Sequence, residues 1–204
     1  MSAPAESAAK LGDGPAGIPQ PVLVRGTGLL GASIGIGLSA AGVDVRLHDP
    51  SPAALAVAAD IRAGRPARLD AEGDDLDVAP GLVVVAAPPD VTADVVVDSL
   101  RRWPAAVVVD IASVKEAVAA GVRAAVDDGR LAPQDADRYL GTHPMAGSER
   151  SGPVAARGTL FTQAPWVLCP TDTTHPGALA AGRALALTLQ ATPYRMAARA
   201  HDES

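Results

Sequence analysis

Three glycines, Gly26, Gly28 and Gly31, stand in G-x-G-x-x-G order within "VLVRGTGLLGASIGIGL". Chemistry enters such a stretch through the backbone. One glycine turns the chain tightly, a second lets main-chain amides approach a pyrophosphate, and a third lets a helix lie close on a strand. The helix start, here Leu29, Leu30 and Gly31, then holds the negative charge. Asp49 closes the next apolar run, some twenty residues on, where a carboxylate hydrogen-bonds the ribose of an adenosine. A carboxylate there also repels a 2′-phosphate, because two unit charges about 4 Å apart at an effective dielectric near 20 cost roughly 4 kcal/mol. The pattern therefore points to NAD rather than NADP, with Ala87 in the small-residue turn "AAPPD" lying along the cofactor. Asp49-Pro50 can equally turn the chain and cap a helix beginning near Pro52.

A second set of residues could move protons. "GTHPMAGSERSG", Gly141 to Gly152, has no hydrophobic period, and its glycines and proline read as an ordered loop with His143 at its root. A neutral imidazole, with a pKa of about 6.5, is suited to accept a proton. A loop histidine of no special role is the plainer reading of the spacing. In "DIASVKEA" the hydroxyl of Ser113 is either a helix N-cap or a substrate contact.

These residues need a scaffold that brings them to one edge. From Pro21 on, short apolar runs alternate with helix-length segments, which implies an α/β fold: a doubly wound, mostly parallel Rossmann-type sheet with helices on both faces. Strands are expected at Pro21 to Gly26, Val43 to Asp49, Gly81 to Pro88 and Ala105 to Ser113, and shorter ones from Arg138, Pro165 and Thr192. Uninterrupted valines mean strands covered on both sides. Helices are expected at Leu29 to Ala41, Pro52 to Ala63, Val91 to Trp103, Lys115 to Asp127 and Pro176 to Leu189. Lys115, in a helix's first turn, reads as solvated.

With only 2% aromatic residues the core must be built from Ala, Val, Leu and Ile. The net charge of −6 is spread without a basic cluster, which argues against nucleic-acid or anionic-membrane partners. Residues 1–20 carry no apolar run flanked by positive charge, so neither signal peptide nor anchor is expected; their Ala, Pro, Gly and Ser content reads as a disordered tail, and the chain as cytoplasmic. The single cysteine, Cys169, reads as a buried thiol in a reducing compartment. The end, "MAARAHDES", is helix-compatible but offers no apolar face to dock, as though cut in mid-element.

The run His143-Pro144-Met145-Ala146-Gly147-Ser148-Glu149-Arg150-Ser151-Gly152, with Asp110-x-x-Ser113-Val114-Lys115 and "GTGLLGAS" upstream, resembles the prephenate/arogenate dehydrogenase family of tyrosine biosynthesis. The resemblance spans Pro21 to Ser204. It implies NAD-dependent oxidative decarboxylation of prephenate or arogenate, with no metal. By the same resemblance, His143 accepts a hydrogen bond from the substrate's ring hydroxyl and acts as base. Ser113 orders that histidine and contacts cofactor and substrate, and Ser148 and Glu149 line the substrate pocket. Residues 21–197 would be the nucleotide-binding domain. Residues 198–204 would open an all-helical second domain that supplies dimer contacts and an arginine for the substrate carboxylate, so that a homodimer is expected of the longer protein and weak turnover of this chain alone. Two rivals are a β-hydroxyacid-type NAD dehydrogenase, with Lys115 in acid–base work, and a dinucleotide-binding module without chemistry.

Overall fold

The computed structural model describes residues 9–10, 17–70, 73–146 and 152–203. The strands are β1 (Ala9–Lys10), β2 (Val22–Arg25), β3 (Val45–His48), β4 (Arg65–Pro66), β5 (Leu69–Asp70), β6 (Gly73–Asp74), β7 (Leu82–Val85), β8 (Val107–Asp110), β9 (Tyr139–Pro144), β10 (Pro165–Cys169) and β11 (Thr192–Arg195). The helices are α1 (Leu29–Ala40), α2 (Pro52–Asp60), α3 (Pro89–Arg102), α4 (Glu116–Asp127), α5 (Pro133–Ala136), α6 (Pro176–Thr188) and α7 (Ala198–Asp202). Proline opens α2, α3 and α6, where its missing N–H costs nothing. Ser51 accepts from the Ala54 amide to cap α2, so the cap falls to Ser51 and not to Asp49.

Among the described residues, nine strands form one sheet in the order β1-β11-β10-β9-β8-β7-β2-β3-β4. From β9 to β4 every pairing is parallel. The chain winds outward first through β3 and then through β7, β8 and β9, so the order reverses between β2 and β7. Ligands of such sheets bind at that reversal, beyond the carboxyl ends of the strands. Alternate side chains sort cleanly to two faces. Val22, Val24, Leu82 and Val84 pack with α1, α2 and α6, while Leu23, Val83, Val85 and Val108 pack with α3 and α4. The sheet is thus covered on both sides, as its valine runs require. No described helix is long and apolar enough to cross a membrane.

Three expectations are corrected. Ala9–Lys10, within the stretch expected to be disordered, pairs antiparallel with β11. β9 runs antiparallel to β10 and extends through Pro144, so Gly141 to Pro144 belong to the strand expected from Arg138 and not to the loop read for Gly141 to Gly152. The last segment does dock: His201 of α7 is buried, and the amides of Lys115 and Glu116 donate to Asp202. Docking through hydrogen bonds needs no apolar stripe, which is why periodicity missed it.

Arg138, just before β9, shows how helix ends are satisfied here. Its guanidinium donates to the carbonyls of Leu100 (2.7 Å), Trp103 (3.0 Å) and Ala106 (2.6 Å), and to Asp135 at 3.0 Å. Carbonyls at a helix C-terminus have no partner inside the helix, and this side chain supplies it. Replacing Arg138 with Met is expected to lower unfolding free energy by roughly 2–3 kcal/mol, measured by urea titration, because several acceptors lose a charged donor together.

Candidate active site

The glycine loop follows β2 at the reversal point. Gly26 has φ +108, and a Cβ there would lie 2.3 Å from the Ala86 carbonyl oxygen, the first residue after β7. A Cβ on Gly31 would lie 2.0 Å from the Gly26 oxygen. Both glycines are therefore demanded by the fold itself. Gly28 is different, since its missing Cβ would meet nothing within 4 Å. It sits at the start of α1, which has no side-chain cap and no acidic residue in its first turn. The amides of Leu29, Leu30 and Gly31 thus stand at an uncapped helix start without partners inside the helix, the arrangement that takes phosphate oxygens.

A cavity of about 450 Å³ adjoins this loop, lined by Gly26, Gly28, Asp49, Ala86, Ala87 and Val91 among others. The Asp49 carboxylate is fixed in its wall. Oδ2 accepts from the Thr27 amide (2.6 Å) and hydroxyl (2.9 Å), and Oδ1 from the Ser51 amide (2.8 Å). Oδ2 is filled by these two donors, and Oδ1 retains acceptor capacity for a ribose hydroxyl. Arg25 also borders the cavity; its Nη1 donates to Asp98 (2.6 Å) and to the Ser99 hydroxyl (2.7 Å), while its Nε is buried without a partner among the described residues. His48 beside Asp49 is held below its ordinary pKa, chiefly by burial, and so is neutral.

The second half of the site stands on β8 and β9. Asp110, the last residue of β8, is level with Gly141, so β9 outlasts its neighbour by Thr142, His143 and Pro144. At about 3.3 Å per residue this lifts His143 roughly 7 Å beyond the end of β8, on the same edge as the glycine loop. The ladder to β10, with His143 opposite Val167, holds the strand beyond that point.

Beneath His143 lies a buried ion pair. Asp110 is 0% exposed and Lys115 1%. The Lys115 ammonium donates to Asp110 and to the Thr142 carbonyl, next to His143. Tyr139 donates its hydroxyl to Asp110 at 2.7 Å, and burial next to that carboxylate pushes the phenol well above its usual range. The expectation that Lys115 is solvated is thus corrected. A carboxylate enclosed at the end of a two-sided strand must find a countercharge, and Lys115 is the one in reach.

His143 is half-buried. Its Nδ1 lies 2.9 Å from Nε2 of His201, the rings meeting edge to face. Nδ1 of His201 lies 2.7 Å from Asp202. Burial first, then the neighbouring His201 and Lys115, hold the His143 pKa down to about 4. The imidazole is therefore unprotonated at neutral pH. Burial pulls Asp202 upward, but hydrogen bonds from the Glu116 amide, His201 and the Lys115 amide outweigh it and leave its pKa lowered. Ser113 is exposed in the turn between β8 and α4. The N-cap of α4 is Lys115, so the cap reading of Ser113 falls away. Ser148 and Glu149 lie outside the described residues. His201 and Asp202 were not foreseen from sequence. Burial pushes the Cys169 thiol up to about 12, which leaves it an unreactive core group.

Residues 36–192 match the family model described as the nucleotide-binding domain of prephenate dehydrogenase. The chain belongs to that family. The match covers most of the sheet and begins just after the glycine loop. A probable prephenate dehydrogenase of Streptomyces niveus is 36% identical over 182 residues, covering 89% of this chain and 46% of the relative. This chain thus spans about half the length of that curated relative. Among solved structures, Synechocystis arogenate dehydrogenase is similar with a TM-score of 0.75 and 27% identity, covering 89% of this chain and 61% of the other. Prephenate dehydrogenase from A. aeolicus, in complex with hydroxyphenyl propionate and NAD+, shares the fold with a TM-score of 0.76 at 23% identity, over the same shares of each chain.

Two outcomes follow from the geometry. Lys115→Met, which strands a buried carboxylate, should cost about 3–5 kcal/mol in chemical denaturation, and adding Asp110→Asn should restore a large part of the loss. For pH, the folded-state pKa of His143 near 4 lies below the ordinary value of about 6.5 of the unfolded chain. Between those values the unfolded chain binds the extra proton, so stability rises with pH across that window and is lost as pH falls through it. His143→Gln should flatten the dependence of melting temperature on pH between about 6.5 and 4.

Proposed function

We propose that this chain is the NAD-binding and proton-accepting half of a dehydrogenase that converts prephenate or arogenate to its aromatic product with release of carbon dioxide. The observation that carries the reading is the placement of a neutral histidine, His143, on the same strand edge as a glycine loop whose Gly28 leaves a helix start open. Family membership supports it.

The residues fit a dinucleotide. The Leu29, Leu30 and Gly31 amides would hold the pyrophosphate, Gly28 would let it approach, Asp49 would accept the ribose hydroxyls, and Ala87 and Ser113 would border the nicotinamide half. Bound NAD supplies the hydride acceptor. His143 draws the proton of the ring hydroxyl as hydride leaves the same carbon. The bond to the ring carboxylate then breaks, carbon dioxide departs, its electrons aromatise the ring, and the former ketone oxygen recovers a proton to become the phenol. Ser113, exposed at the adjacent turn, would orient the hydroxyl, and Ser148 and Glu149 would contact substrate. Lys115 is sequestered in its ion pair, so the reading assigns proton transfer to His143 and none to Lys115. Residues from Ala198 onward would begin the helical domain that completes the substrate pocket and the dimer. Residues 1–204 alone are accordingly expected to bind NAD and to turn over slowly.

In the longer protein carrying the helical continuation, His143→Asn should lower kcat by roughly 10²- to 10⁴-fold with prephenate or arogenate while leaving NAD affinity within a few-fold. Retention of full turnover would refute the assignment of the base. Gly28→Ala should leave the melting temperature nearly unchanged, since its Cβ meets open space, yet weaken NAD binding about tenfold, which is about 1.4 kcal/mol by titration calorimetry.

A further inference from the structure

We propose that His201 and Asp202 form, with His143, a proton-relay chain that fixes which nitrogen of His143 carries its proton and receives the charge when His143 acts as base. The functional part of this proposal rests on the reading of His143 given above.

The assignment follows from donor and acceptor bookkeeping along three contacts. An ionised carboxylate only accepts. Asp202 already accepts from the amides of Lys115 (2.9 Å) and Glu116 (2.8 Å), which anchor it at the start of α4. Nδ1 of His201, 2.7 Å from Asp202 Oδ1, must therefore carry hydrogen. In its neutral form His201 presents a bare Nε2, and the group facing it at 2.9 Å, Nδ1 of His143, then donates. His143 is left with its lone pair on Nε2. The opposite tautomer of His143 would set two lone pairs against each other. The tautomer of a histidine is set by the bond its other nitrogen makes, and here that bond is set by Asp202.

The same chain can carry charge. When Nε2 of His143 takes a proton from substrate, the proton on Nδ1 can pass to Nε2 of His201. One proton enters His143 and one leaves, and nothing is oxidised or reduced. The imidazolium then belongs to His201, whose Nδ1–H faces the Asp202 carboxylate. That location favours the cation over His143. The groups packed around His143 are Lys115 below it, cationic but matched by Asp110; His201 and Asp202 from α7; and, on β10, the apolar Val167 opposite and Cys169, a neutral thiol. Asp202 is the carboxylate of this set not already matched by an ammonium, and it touches His201 rather than His143. His201 is only 8% exposed, so the charge is shielded from water. His201 and Asp202 are positioning and relay residues in this scheme, and His143 alone meets substrate.

The chain holds four histidines, which makes ¹⁵N-histidine labelling and two-bond ¹H–¹⁵N correlation spectra of residues 1–204 tractable. The expected result at pH 7 is hydrogen on Nδ1 and a bare Nε2 for both His143 and His201. In His201→Phe, with the fold checked by its amide spectrum, His143 should move to a majority of Nε2–H, and Asp202→Ala should lose the fixed tautomer of His201. A wild-type His143 with hydrogen on Nε2 overturns the proposal, as does a tautomer unmoved by His201→Phe. If the variants fail to fold, the wild-type spectrum still decides. These readouts are independent of turnover: the expected tautomers, together with a longer protein that carries the helical continuation yet is inactive towards prephenate and arogenate, would fault the functional reading and spare the relay. Full activity with the wrong tautomer would do the reverse.

Discussion

A carboxylate with no access to water has to be neutralised where it stands, and Asp110 stands at the end of β8 with its side chain fully enclosed. Its partner, Lys115, is drawn inward from the turn before α4, and the hydrogens of that ammonium reach the carbonyl of Thr142 as well. Thr142 returns the bond by donating its hydroxyl to the Asp110 carbonyl at 2.6 Å. The amide of Ala112 and the hydroxyl of Tyr139 complete the shell around the carboxylate. Two neighbouring strands and the helix start beside them are thereby clamped at one level. A buried pair of this kind adds little net stability over a well-packed apolar cluster, but loss of either member would leave a charge stranded. Its service here is to specify geometry: the residue after Thr142 is His143.

The dinucleotide end obeys a different constraint. Gly26 and Gly31 are required because main-chain atoms of Ala86 and Gly26 occupy the space a side chain would take, whereas among the described residues nothing lies within 4 Å of where a Gly28 Cβ would stand. The two ends also differ in what holds them. The glycine loop is shaped by steric exclusion, and the histidine end by hydrogen bonds and charge.

Much of the scaffold was legible in the sequence because its signals are strong ones. The valine runs of β7 and β8 and the helices between them appear within two or three residues of where hydrophobic pattern and proline placement put them. What escaped was whatever depends on partners distant along the chain. Lys115 looks solvated in any local window, since its carboxylate and its carbonyl acceptor lie 5 and 27 residues away. The strand character of Gly141 to Pro144 comes from a ladder to β10, which glycine and proline content conceals. Ala9–Lys10 and the two-residue strands β4, β5 and β6 are too short to carry a period. His201 and Asp202 sit in a five-residue helix that docks through polar atoms, 58 residues from the histidine they serve. Glycine spacing was legible for a steric reason, because Gly26 and Gly31 stand where backbone atoms leave no room for a side chain.

The overhang of β9 past β8 has a bearing on how such an enzyme could diversify. A side chain mounted on a paired strand inherits its coordinates from the sheet, so the polypeptide that follows Pro144 is not needed to aim His143. The downstream stretch can accumulate replacements or insertions while His143 keeps its level relative to the glycine loop.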